Sequence, residues 1–139
     1  MKKALVLLGL VTLGGAASAQ TLQANLGATF GGLGTGVHVG VSVLDLANLG
    51  GLALDGRVSG DFRPNSTSLN VDALLNFPTD VLNLYGGVGV SYNLSSSVLG
   101  FGLTGGLNFP VTENIGIYGE GVLRLNAPTS LRAGVTFTF

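Results

Sequence analysis

Very few side chains in this chain could carry chemistry. There is one histidine, His38, with Ser42 on the same face of its extended segment and Asp55 and Asp61 on the next segment. A histidine near a serine and an acid is the raw material of nucleophilic catalysis: the imidazole takes the hydroxyl proton and the carboxylate orients the ring. Any curled sheet brings such residues near one another, so the signal is weak. A lone inward histidine reads as a hydrogen-bonded filler, and no catalytic residue is assigned. A metal needs three or four convergent ligands, which one histidine with scattered aspartates does not supply. The chain has no cysteine, which removes disulfides and thiolate ligation. The glycine-rich runs "GVGV" (87–90) and "GFGLTGG" (100–106) lead into strands. A phosphate loop must open a helix, so that reading fails its context. The expectation is a protein that is not an enzyme and has no cofactor or metal site.

The ionisable residues point elsewhere. Asp55, Arg57, Asp61, Asp72, Glu120, Arg124 and Arg132 fall on the polar faces of extended segments, with His38, Tyr85 and Tyr118 among them. Asp55 and Arg57 are two apart on one face, Glu120 and Arg124 are four apart, and Arg132 lies on the neighbouring segment. If these faces are enclosed, the charges must be paired, because an isolated buried charge is very costly. The expectation is an ion-pair network: Glu120 with Arg124 and Arg132, and Arg57 with Asp55, Asp61 or Asp72.

The elements that must position them are strands. After residue 20 no apolar stripe of helical period has any length, and period two dominates. Eight strands can be read, at about 22–30, 37–43, 52–62, 69–77, 82–92, 99–109, 115–125 and 131–139. The stretch "LDLANLGG" (44–51) breaks the alternation and leaves the end of the second strand open. The turns 31–35, 63–68, 95–98 and 126–130 share one end of the sheet and carry no charge except Arg63. A hairpin-sized echo relates "LNFPTDVLNLYGGVGV" (75–90) to "LNFPVTENIGIYGEGV" (107–122), with one extra residue in the second turn.

Alternation alone does not say which face is inside. The aromatics decide. All seven phenylalanines lie on the aliphatic face, near strand ends. Phe30, Phe62 and Phe101, with Tyr92, share one rim, and Phe77, Phe109 and Phe139, with Phe137 nearby, share the other. Two aromatic girdles around an aliphatic band are what two lipid–water interfaces favour. The opposite face is rich in Gly, Asn, Ser and Thr, which suits a narrow interior. Strands of this length can cross a bilayer when tilted, and only a closed barrel leaves no unpaired edge in hydrocarbon. The fold expected is all-β: an eight-stranded antiparallel up-and-down transmembrane β-barrel over residues 20–139.

Composition agrees. Only 9% of the residues are charged, and 24 of 139 are glycine, too apolar for an ordinary soluble surface. Lys2 and Lys3, the apolar run 4–13 and Ala17-Ser18-Ala19 read as a signal peptide over residues 1–19, cleaved near Ala19. Its loss leaves four arginines against seven acids, a poor partner for nucleic acid.

The closing stretch "LRAGVTFTF" (131–139) alternates to a terminal phenylalanine. It resembles the C-terminal signal of bacterial outer-membrane β-barrel proteins, and the whole chain is similar to their small eight-stranded members, the OmpA membrane domain and OmpX. The resemblance implies that Val135, Phe137 and Phe139 carry the assembly signal read by the barrel-assembly machinery. It also implies periplasmic termini, outer-membrane lipids as the surrounding partner and the bacterial outer membrane as the location. The chain departs from that class in having no tryptophan and very short turns. The leading functional expectation is a structural, membrane-integrity role with a side-chain-filled lumen. The alternatives are a small or gated channel passing Tyr85, Tyr118 and His38, and a secreted soluble β-barrel binding an apolar ligand. Oligomeric state is left open.

Overall fold

A computed structural model describes residues 21–31, 34–125 and 129–139. The segment read as a signal peptide lies outside the described residues. The strands are β1 (Leu22–Gly31), β2 (Gly36–Leu49), β3 (Leu52–Arg63), β4 (Ser66–Pro78), β5 (Asn83–Asn93), β6 (Val98–Pro110), β7 (Ile115–Arg124) and β8 (Ser130–Thr138). Each pairs antiparallel with its sequence neighbours, and β1 pairs with β8, so the sheet closes into a barrel. This is the fold that the alternation predicts.

Burial is inverted relative to a soluble domain. Leu103, midway along β6, and its register partner Leu123 are 58% and 60% exposed on the outer face, whereas Asp61 is 0% and Arg57 2% exposed on the inner face. The eight aromatic residues singled out near strand ends are all exposed; Phe139 sits just past the last residue of β8. The apolar side chains form a sleeve and the polar ones fill its centre.

The structure revises the sequence reading at three places. First, β2 runs through "LDLANL". Val43 pairs with Gly56 and Ala47 with Leu54, so Leu44, Asp45 and Leu46 stand opposite Asp55 alone. This bulge is what breaks the alternation. Asp45 there has a φ of 57° and its N–H donates to Asp55 Oδ1 at 2.9 Å. Second, Val43 has outward register but is 1% exposed; Leu46, from the bulge, lies over its cross-strand partner Gly56. Third, the turn 63–68 shrinks to Pro64 and Asn65, because Arg63 and Ser66 are already paired. The β2–β3 turn is Gly50-Gly51, both with positive φ, the geometry a two-residue hairpin demands.

The repeated hairpins close alike. Thr79 Oγ1 donates to the Leu82 carbonyl and accepts from the Leu82 N–H, and Thr112 Oγ1 accepts from the Asn114 and Ile115 N–H groups.

Glycines let neighbouring strands approach closely, as at the seam between β1 and β8. Gly27 and Gly134 are register partners. A Cβ at Gly134 would run into the Leu26 carbonyl and the Gly27 Cα, and one at Gly27 would run into the Ala133 carbonyl. These are backbone atoms and cannot rotate away. Gly134→Ala is therefore expected to destabilise the detergent-folded barrel by about 1–3 kcal/mol in denaturant titration, the cost of overpacking. Gly105→Ala is the control: its Cβ would meet nothing within 4 Å. Equal stability of the two variants would refute the close seam.

Candidate functional site

The candidate site is the lumen. Its side chains come from the inward positions of the strands, and register sets the first contacts. Three acid–base pairs are direct cross-strand partners: His38 with Asp61, Arg57 with Asp72, and Glu120 with Arg132. His38 Nδ1 lies 2.9 Å from Asp61 Oδ1. Arg57 donates from Nε and Nη2 to Asp72 Oδ2 at 3.1 and 3.0 Å. Arg132 Nη1 donates to Glu120 Oε2 at 2.8 Å.

Closure then joins the pairs across the barrel. Arg57 Nη1 and Nη2 donate to the two oxygens of Glu120 at 2.6 and 2.9 Å. Arg132 Nε and Nη2 donate to the two oxygens of Asp61 at 3.1 and 2.5 Å. Such forked pairings are the strongest that arginine makes. Arg124 Nη2 lies 3.5 Å from Asp61 Oδ2, and Arg124 Nη1 donates to Ser130 Oγ at 3.0 Å. Tyr85 donates its hydroxyl to Glu120 Oε1 at 2.9 Å. The result is an alternating lattice, Asp72–Arg57–Glu120–Arg132–Asp61, with His38 and Arg124 attached to its last acid. Within this lattice three arginines face three carboxylates, so its charges balance.

Two expected contacts are absent. Glu120 takes Arg57 and Arg132, not Arg124. Asp55 does not touch Arg57; it accepts from Asn76 Nδ2 at 2.6 Å and from the Asp45 N–H. Two contributors went unnoticed in the sequence. Arg63, read as a turn residue, is 5% exposed and donates to Thr29 Oγ1 and Ser130 Oγ at 3.0 and 3.2 Å. The parity of Asp55, Arg57 and Asp61, continued by two residues, would have found it. Asn70 bridges the network, donating to Asp61 Oδ2 at 3.0 Å and accepting from Arg124 at 3.4 Å.

The histidine has no catalytic geometry. His38 is fully buried, and its Nε2 has no hydrogen-bond partner. Ser42 donates to Asn25 Oδ1 at 3.4 Å, away from the imidazole. Tyr118 is 1% exposed, sits edge-on to His38 with ring centroids 6.2 Å apart, and leaves its hydroxyl without a partner. Among the described residues no three His, Cys, Asp or Glu side chains are grouped to hold a metal.

The remaining space is one-sided. A cavity of about 320 Å³ opens at the end that carries the β2–β3 and β4–β5 turns, and Arg57, Tyr85 and Tyr118 line its inner part. Further in, a void of about 10 Å³ lies between Asn70, Asp72, Arg124 and Arg132. That is at the lower limit for one water, ~10–15 Å³. On the last strand, Val135 pairs with Leu26 and Ile117, and Phe137 with Ala24 and Ile115.

Fold and lumen together define the class: a small closed β-barrel, apolar outside and ion-paired inside. Solved structures of β-barrels match this chain in fold. A de novo designed transmembrane β-barrel is 16% identical with a TM-score of 0.67, over 86% of this chain and 96% of that one. The Yersinia pestis outer membrane protein Ail, in a phospholipid bilayer nanodisc, is 12% identical with a TM-score of 0.62, over 86% and 99%. The N-terminal β-barrel domain of Pseudomonas aeruginosa OprF is 17% identical with a TM-score of 0.59, over 86% and 98%. At these identities the likeness is one of fold. No family model matches the chain, and no curated protein matches it.

Proposed function

We propose that this chain is an integral β-barrel of the bacterial outer membrane whose lumen is sealed by its ion-pair lattice and whose role is structural. One observation carries the reading: the apolar residues are the exposed ones and the charged residues the buried ones. Left in water, the outer face would be a continuous apolar patch far larger than soluble monomers carry; in a bilayer it is matched to acyl chains. The aromatic belts support the same reading. Phe30, Phe62, Tyr92 and Phe101 serve one interface, and Phe77, Phe109, Phe137 and Phe139 the other, where amphipathic rings are favoured. In this reading the termini face the periplasm, and Val135, Phe137 and Phe139 present the closing strand to the barrel-assembly machinery.

The structural role rests on the packing of the centre. An eight-stranded barrel is just wide enough for side chains to fill, and here paired charges fill its middle, inward of the open cavity. No catalysis is proposed, because the only histidine is sealed from solvent and substrate. The fold alone neither supports nor opposes catalysis, since one fold hosts many functions.

Planar-bilayer recording tests the sealed lumen. The purified, folded protein is expected to give no sustained unitary conductance. Steady conductance steps would replace the plug by the channel reading. Carbonate washing of cells making the protein tests the membrane reading separately: it is expected in the pellet, and release into the soluble fraction would favour a secreted barrel.

A further inference from the structure

We propose that the one-sided cavity is a binding site for a neutral sugar of one or two rings. This goes beyond the structural reading and does not depend on it, since the cavity belongs to the barrel in any surroundings. At about 320 Å³ it falls at the small end of ligand sites, ~300–1,000 Å³.

Its chemistry is that of amides. Gln23, Asn48, Asn76, Asn83 and Asn108 come from five different strands and converge on the space. Each keeps hydrogen-bonding capacity. Gln23, Asn76 and Asn108 spend their amide N–H on Thr138, Asp55 and Thr136, which leaves their carbonyl oxygens. Asn48 spends its carbonyl on the Gly51 N–H, which leaves its amide nitrogen. Asn83 has both ends to offer. Asn83 presents a donor and an acceptor side by side, which matches the two-point pattern of neighbouring hydroxyls on a sugar ring, and the other four amides add single acceptors or donors around it. Leu44 and Leu74 supply apolar wall for the C–H face of such a ring. At the inner end, Tyr118 holds a buried hydroxyl with no partner, the kind of group that gains most from a new bond.

Charge narrows the ligand further. Asp45 and Asp55 line the cavity. Arg57, the one cation among the described residues that line it, is already shared by Asp72 and Glu120. That leaves no lining cation to meet an anion, so a sugar acid is disfavoured and a hydroxyl donor is not.

The test uses the barrel folded in an amine-oxide detergent, because a maltoside detergent would itself present sugar. Glucose and maltose are titrated in, with glucuronate as the anionic control, and NMR shifts of the Asn side-chain amides are followed. Saturable shifts with a neutral sugar are expected, with glucuronate at least about five-fold weaker, roughly one lost hydrogen bond or more. Asn83→Ala and Tyr118→Phe are each expected to weaken binding about five-fold. Neither residue belongs to the ion-pair lattice, and Asn83 makes no side-chain hydrogen bond among the described residues, so both variants are expected to fold. The proposal fails if neither sugar saturates up to roughly 0.1 M, far above a millimolar constant. It also fails if glucuronate binds equally well, or if both variants leave the affinity unchanged.

Discussion

Glu120→Ala is expected to destabilise the folded barrel by about 3–5 kcal/mol, the usual cost of removing one partner from a buried ion pair. Glu120 is the centre of the lattice. Its oxygens accept from Arg57 at 2.6 and 2.9 Å, from Arg132 at 2.8 Å and from Tyr85 at 2.9 Å. Alanine leaves two guanidinium groups buried, facing the same gap, with one charge uncompensated. It also strands the Tyr85 hydroxyl. Denaturant titration of the detergent-folded protein reads the loss. Glu120→Gln retains an oxygen and the side-chain volume, so it should fall between alanine and the native chain. Adding Arg132→Met to Glu120→Ala removes the excess charge. The double variant is then expected to cost less than the sum of its parts by about 0.5–3 kcal/mol, the range for coupled neighbours. An alanine variant as stable as the native chain would mean that the lattice does not hold the lumen together.

Leu103→Arg is expected to cost about 2–4 kcal/mol when the barrel is folded in a bilayer, the range for a cation on the lipid face near the midplane. Leu103 lies midway along β6, between Val88 and Leu123 in register, and is 58% exposed. Inside the barrel nothing is disturbed, so the loss reports the surroundings alone. The same substitution toward a rim should cost less, because a long cation there reaches the headgroups. Unfolding titrations in vesicles measure both. If Leu103→Arg is neutral, the exposed aliphatic band does not face acyl chains, and the membrane reading falls with it.

Distance along a strand separates what alternation reveals from what it hides. A period of two was enough to sort residues onto two faces. Every charged side chain sorted inward is in fact buried. Phenylalanine positions likewise marked the two rims, since a strand's ends follow from its turns. What alternation cannot say is which inward residues touch. Glu120 and Arg124 share a face, but four residues of strand span about 13 Å at 3.3 Å each, beyond the reach of a salt bridge. Arg124 reaches Asp61 instead, a residue of β3. The bulge at Leu44–Leu46 was visible only as a fault in the pattern, and Arg63 was lost because "RPNSTS" looks like a longer turn than the two residues the chain uses.

The amino-acid order by itself determined the strands, their two faces and the aromatic rims, because each is a local property with a period of two residues. It also implied that the buried charges must be paired. Register and closure decided the rest. Register set the pairs His38–Asp61, Arg57–Asp72 and Glu120–Arg132. Closure brought β3 against β7 and β8 across the lumen, where Arg57 meets Glu120 and Arg132 meets Asp61. Those contacts join residues 63 and 71 positions apart. No local pattern encodes such a meeting; it exists only once β1 has paired with β8 and the polar faces have no other place to go.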